Sequence, residues 1–313
     1  MVATTQLRRL GIGLGVVGIL CIWLWRMWGD KSPTGVLLKE SLEFLEGKQP
    51  VIRASCNGEQ IRLILDTGTG YHIALFKGQE KQTQLFQQAI LDGRTYDGAP
   101  LYRLPYLRVQ RAKVKSAHLV IAHIVGDEEF AKKYFKGTQG LLGFAFLKHF
   151  VTTIDWKSKR VTLSHSLSHD LPTLHVLPLK QVRFKGLRFP AINVRFGDKD
   201  LLCVLDTGSD ISMLPASATE KFSYERISLV LRAVNSQGEQ EAWWVGRVGP
   251  VTVGPLTIPT LVMQSPNLHV RPKAPSFLYQ LISQGYGVIG CDVLHKFRLA
   301  IIDGPKSKVY FET

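Results

Sequence analysis

Apolar runs of strand length, separated by short polar turns, dominate the chain from residue 51 onward, and two of these runs share one design. Residues 61–65 lead into Asp66-Thr67-Gly68-Thr69, and residues 201–205 lead into Asp206-Thr207-Gly208-Ser209. The two aspartates stand 140 positions apart, and the match extends upstream, with Val51-Ile52 falling on Ala191-Ile192 and Asn57-Gly58 on Gly197-Asp198. A second motif follows each: Gly140-Leu141-Leu142-Gly143, running on to Phe150, corresponds to Gly287-Val288-Ile289-Gly290, running on to Phe297. The chain is therefore an internal duplication, with extra residues between the motifs of its second copy.

The same pattern predicts individual elements. Residues 51–56 and 60–65 read as a hairpin closed by Asn57-Gly58, a favoured two-residue loop. A second hairpin is predicted around Tyr96-Asp97-Gly98, and residues 154–163 read as strand, turn, strand. In the second copy, residues 189–196 and 201–205 pair into Asp206, residues 234–238 supply a hairpin tip, and residues 251–253, 256–262 and 309–311 are further strands. Residues 76–91 are polar and glutamine-rich, which suits a surface helix or a long loop. Leu38, Leu42 and Leu45 fall at helical spacing and predict a short helix. The whole reads as all-β, two related β-barrel lobes after an N-terminal helix: a tail 1–9, an apolar span 10–28, a connector 29–50, a first lobe 51–163, a joint 164–178 and a second lobe 179–313.

The apolar span has its own logic. Residues 10–25 carry no charge, Arg8 and Arg9 precede them, and the run continues to Trp28, close to the roughly 17–20 residues that cross a bilayer core. Trp23, Trp25 and Trp28 gather at one end, where indoles sit among headgroups. No small-x-small cleavage site follows, so a single-pass signal anchor is the preferred reading and a cleaved signal peptide the alternative. The arginine placement slightly favours a cytoplasmic amino terminus, with the lobes outside the cytoplasm, on the periplasmic side if the host is bacterial. Gly13-Leu14-Gly15-Val16-Val17-Gly18 spells a dinucleotide-binding pattern, but no strand precedes it.

Composition adds limits. The net charge of +14 would suit an anionic partner, yet Lys and Arg are scattered without a dense cluster, so a solvated basic surface is read and no nucleic acid is expected. Cys21, Cys56, Cys203 and Cys291 each sit in an apolar run and read as buried thiols, with an oxidised pair as the alternative. His165 and His169 are four apart but lack a helix signal, and read as joint histidines; no metal or cofactor is expected.

With both Asp-Thr-Gly motifs and both Gly-apolar-apolar-Gly motifs in view, residues 50–313 resemble the aspartic peptidases of the retropepsin and pepsin group. Asp206-Thr207-Gly208-Ser209-Asp210 is especially similar to the retroviral form. The resemblance implies two lobes related by a pseudo-twofold axis, with Asp66 and Asp206 as a catalytic dyad hydrolysing peptide bonds in an extended polypeptide. Chemistry agrees with the residue types, because water attack on an amide needs a base and an acid, and two carboxyls sharing one proton provide both. Two ionised carboxylates about 3 Å apart would repel by roughly 5 kcal/mol at an effective dielectric near 20, so one keeps its proton.

The resemblance also implies that Thr67 and Thr207 bond across the lobe interface. It implies that Gly68 and Gly208 admit backbone close to the carboxylates, and that Thr69 and Ser209 offer them hydroxyls. Tyr96, Asp97 and Gly98 in the first lobe and Gln237 and Gly238 in the second are flap candidates, with plain surface hairpins as the alternative. Of the adjacent Trp243 and Trp244, at most one lines a pocket, since neighbours in a strand face opposite ways. Both aspartates lie on one chain, so dimerisation is not required. The alternative function is a catalytically silent, peptide-binding receptor or sensor of the same fold.

Overall fold

The structure is a computed structural model that describes residues 35–45, 48–78, 83–96, 99–122, 135, 137–167, 174–233, 240–268 and 277–313. The predicted span 10–28 and the tail before it lie outside these residues. No helix among the described residues is long and apolar enough to cross a membrane. Leu37–Thr313 form one compact unit.

The fold is all-β. The first copy and its approach contain β1 (Val36–Ser41), β2 (Glu43–Phe44), β3 (Pro50–Cys56), β4 (Glu59–Asp66), β5 (Ile73–Phe76), β6 (Ile90–Tyr96), β7 (Ala99–Val109), β8 (Ala112–Ala122), β9 (Gly140–Gly143), β10 (Val151–Asp155) and β11 (Arg160–Ser164). The joint and second copy contain β12 (His175–Pro178), β13 (Lys180–Phe184), β14 (Leu187–Phe196), β15 (Lys199–Leu205), β16 (Glu225–Ala233), β17 (Gln240–Val248), β18 (Val251–Val253), β19 (Leu256–Ile258), β20 (Leu261–Pro266), β21 (Gly287–Ile289), β22 (Leu299–Asp303) and β23 (Lys308–Glu312). The longest described helix, Phe277–Ser283, has 7 residues.

Three sheets belong to single copies: an eight-stranded sheet in the first, and a six-stranded and a three-stranded sheet in the second. A fourth is shared, in the order β1-β11-β10-β22-β23-β12, and its centre is the antiparallel pair β10–β22, one strand from each copy. Ile154, Val161, Ala300, Ile302, Val309 and Phe311 from this sheet join the main buried core. Burying such a face ties the copies together through the hydrophobic effect, at about 25 cal/mol per Å2 of apolar surface removed from water.

The hairpin β3–β4 turns at Asn57 and Gly58 with φ of 50° and 97°, the left-handed backbone of a tight two-residue turn. One sequence expectation is corrected. Leu38, Leu42 and Leu45 are buried, but in strand segments β1 and β2 and the residues beside them, with the Leu42 N–H donating to the Lys159 carbonyl at 2.7 Å. Distant strands satisfy hydrogen bonds that a helix would have made internally, which local spacing cannot reveal. The end of the joint forms β12, paired with β23. The polar stretch after β5 contains one short helix, Gln84–Gln87, capped by the Thr83 hydroxyl.

Candidate active site

Each copy builds the same frame around its aspartate. β4 carries apolar residues into the core and ends on Asp66; β15 does so and stops just before Asp206. The Gly-apolar-apolar-Gly strand lies parallel alongside: β9 pairs with β4 from Leu63↔Gly140 to Asp66↔Gly143, and β21 pairs with β15 from Cys203↔Gly287 to Leu205↔Ile289. After the aspartate the chain turns back and bonds to the outer side of that strand, through β5 in the first copy and through Met213 and Val288 in the second. The strand is therefore threaded between two others, which demands small residues. A Cβ on Gly143 would come within 2.1 Å of the Tyr71 carbonyl oxygen, and one on Gly290 within 2.8 Å of the Ile211 backbone. Beyond each motif a short helix begins, and its first residues clamp the loops: Phe144 N–H donates to Thr69 O and Cys291 N–H to Ser209 O, both at 2.8 Å.

Across the copies the bonds are reciprocal. Thr67 N–H donates to Thr207 Oγ1 at 3.1 Å, and Thr207 N–H to Thr67 Oγ1 at 3.0 Å. Each hydroxyl in turn donates at 2.6 Å to a carbonyl of the other copy, Thr67 to Leu205 and Thr207 to Leu65. Both threonines are buried. Gly68 lies against the Asp206 carboxyl, where a Cβ would meet Cγ at 2.2 Å, and Gly208 lies against the Asp66 carboxyl, where it would meet Cγ at 2.3 Å. The four buried bonds and two close contacts bring Asp66 and Asp206 together, each only 8% exposed.

The carboxyls are held differently. Thr69 Oγ1 donates to Asp66 Oδ2 at 2.8 Å, and the Asp206 carboxyl and the backbone N–H groups of Gly68 and Thr69 add further contacts to the Asp66 carboxyl. Asp206 Oδ1 accepts the N–H groups of Gly208 at 2.9 Å and Ser209 at 3.1 Å. The Ser209 hydroxyl does not serve Asp206; it donates to the Ile211 carbonyl at 2.8 Å, which corrects the role the resemblance implied. Burial raises Asp206 well above the ordinary carboxylate range, and the neighbouring Asp66 charge raises it further. Burial also raises Asp66, against the lowering effect of the Thr69 hydroxyl. The two carboxyls titrate as a pair, and one proton is retained above the pH at which a free carboxyl would lose it.

Of the flap candidates, Asp97, Gly98, Gln237 and Gly238 lie outside the described residues, and Tyr96 is placed only as the last residue of β6. The strands that would carry two such hairpins are present, pairing Tyr96 with Ala99 and Ala233 with Gln240. Trp243 is buried and stacks edge-on against Tyr279, whereas Trp244 is half-buried. Among the described residues no group of His, Cys, Asp and Glu could hold a metal, and His165 is exposed. Cys56, Cys203 and Cys291 are free, buried thiols.

Two groups escaped the sequence reading. The Cys291 thiol donates to the Thr207 carbonyl at 3.2 Å, behind the dyad loop. Ser212 accepts from Gly290 N–H at 3.0 Å and donates to Asp292 Oδ1 at 2.7 Å, tying the second loop to its following helix. The available signal was the duplication, since Ser212 stands where the first copy has His72. Set beside models of protein families and curated proteins, the chain matches none.

Proposed function

We propose that this protein is an aspartic endopeptidase in single-chain, duplicated form, with two pseudo-twofold-related lobes of the retropepsin and pepsin type. The observation that carries the reading is the reciprocal threonine exchange, which presses a carboxyl from each copy against a glycine of the other in a buried setting. Apposed, desolvated carboxyls are costly to a fold, and a purely structural junction has no use for them. In the working site the ionised member takes a proton from water attacking the scissile carbonyl, and the protonated member donates to the carbonyl oxygen. The substrate is an extended polypeptide running between the copies beneath the two hairpins. The apolar span 10–28 supports a single-pass membrane anchor with the lobes outside the cytoplasm.

Full-length protein in detergent, incubated with an unfolded polypeptide across acidic to neutral pH, tests the proposal. Cleavage that disappears in both Asp66→Asn and Asp206→Asn is expected, with losses on the order of 10²–10⁴-fold or more. Absence of cleavage at every pH would favour a silent peptide binder. The variants should still fold, for a reason of sign. A carboxyl raised by folding binds its proton more tightly in the native than in the unfolded chain. Stability therefore falls as pH rises from the ordinary carboxylate range through the raised one. Asp206→Asn removes that loss, so thermal unfolding at neutral pH should show no destabilisation.

A further inference from the structure

The two copies differ sharply at the turn that follows their shared-sheet strands. After β22 comes Gly304, packed so closely on Lys148 that a Cβ would lie 2.1 Å from the Lys148 carbonyl oxygen. After β10 the corresponding turn begins with Trp156, and aligning Phe150 with Phe297 puts His295 where the first copy has Lys148. The Trp156 and His295 rings lie 4.9 Å apart, with Phe44 against both. A contact that is closed in one copy is thus built out by a large side chain in the other. Beside it opens a cavity of about 460 Å3 lined by Trp156, Lys157, His295, Lys296, Phe297, Arg298 and Thr313. That volume falls within the range of small-ligand sites.

Its lining carries three cationic side chains, Lys157, Lys296 and Arg298. Arg298 is engaged with Glu312 and, at 3.9 Å, with Asp155. Lys157 and Lys296 are exposed at the rim, and Lys48 and Lys159, also exposed, lie close enough to act on His295. Burial first, and then these two lysines, hold His295 below its ordinary range. Trp156, 4% exposed, carries a buried indole N–H with no hydrogen-bond partner among the described residues. Two lysines, Lys157 and Lys296, thus line one aromatic-walled pocket, with Lys48 and Lys159 near its His295 wall.

We propose that this pocket binds a phosphate-type anion of two or more charges, with the lysines as point-charge contacts and Trp156 and His295 as the wall against which the ligand rests. Lysine suits this role because its ammonium is a compact charge on a flexible stem that can follow a tetrahedral anion. The ligand is either a soluble phosphorylated molecule or a phosphate-bearing lipid headgroup. None of the lining residues belongs to the Asp66 or Asp206 loops, so the site is independent of the peptidase reading.

Calorimetric titration of the full-length protein in nonionic micelles, at low salt, provides the test. One arm uses inorganic pyrophosphate, and the other uses micelles doped with phosphatidic acid, whose phosphomonoester carries up to two charges. Binding is expected in at least one arm, weakened about tenfold or more in Lys157→Glu/Lys296→Glu and unchanged in the control Lys113→Glu/Lys115→Glu on β8. A response to pyrophosphate assigns a soluble ligand, and a response to the lipid alone assigns a headgroup. No response in either arm, or equal weakening in both double variants, overturns the proposal. Asp66→Asn should bind as the wild type does, whichever way the cleavage assay turns out.

Discussion

The loops that carry Asp66 and Asp206 have the same backbone path but unequal surroundings. In the first, the Thr69 hydroxyl reaches the carboxylate in addition to the backbone groups of Gly68 and Thr69; in the second, two backbone N–H groups converge on one oxygen and the Ser209 hydroxyl turns to a carbonyl. Behind the first loop, buried His72 accepts from His118 N–H at 3.0 Å and is pushed down to about 3, chiefly by burial and then by His118. Behind the second, Ser212 binds Asp292. Duplication therefore preserved what geometry required, namely the threonine exchange and the glycines. It left the partners of each carboxyl free to diverge, and a difference in partners is how like groups acquire different proton affinities.

The symmetric part of this comparison should be the most fragile. Gly68→Ala or Gly208→Ala would place a methyl inside the opposite carboxyl, so something must move, and a displacement on the order of 1 Å should lower cleavage about 100-fold. Steady-state kinetics on each variant would check this, and full activity in either would mean that the close approach is dispensable.

Next in size is the exchange itself. Thr67→Val and Thr207→Val each leave a buried N–H and a buried carbonyl of the other copy without their partner, which should cost about 1–3 kcal/mol in urea unfolding. Because both residues serve one network, the double variant should lose less than the two single losses combined. Strict additivity would argue against a shared network.

The smallest effect isolates the asymmetry. Thr69→Val removes a bond that favours ionised Asp66, so the acidic limb of the pH–rate profile should move to higher pH. Ser209→Ala removes no bond to Asp206 and should leave that limb where it is. Equal shifts in both would mean that the loops are alike in solution.

Much of the strand order was legible because strands repeat every two residues and tight turns demand particular residues. Asn57-Gly58 announced its hairpin, since both positions need left-handed backbone. The candidate dyad was legible as a repeat, two aspartates each following an apolar strand. By contrast, β1, β2 and β12 were missed because their hydrogen-bond partners lie far along the chain. The direction of the Ser209 hydroxyl was missed because Ser and Thr offer the same group, and only the position of the Ile211 carbonyl decides where it points.

Sequence was enough to establish two copies of one β unit, the residues each copy offers to a shared centre, and an all-β chain, because these follow from local periodicity and from repetition. It could not say that Asp66 and Asp206 would be buried side by side, or that Lys157 and Lys296 would line a pocket with Trp156. Those facts arise where segments distant along the chain pack together. Proton affinity and ligand attraction depend on distance and solvent exclusion in space, and neither is encoded by position along the chain.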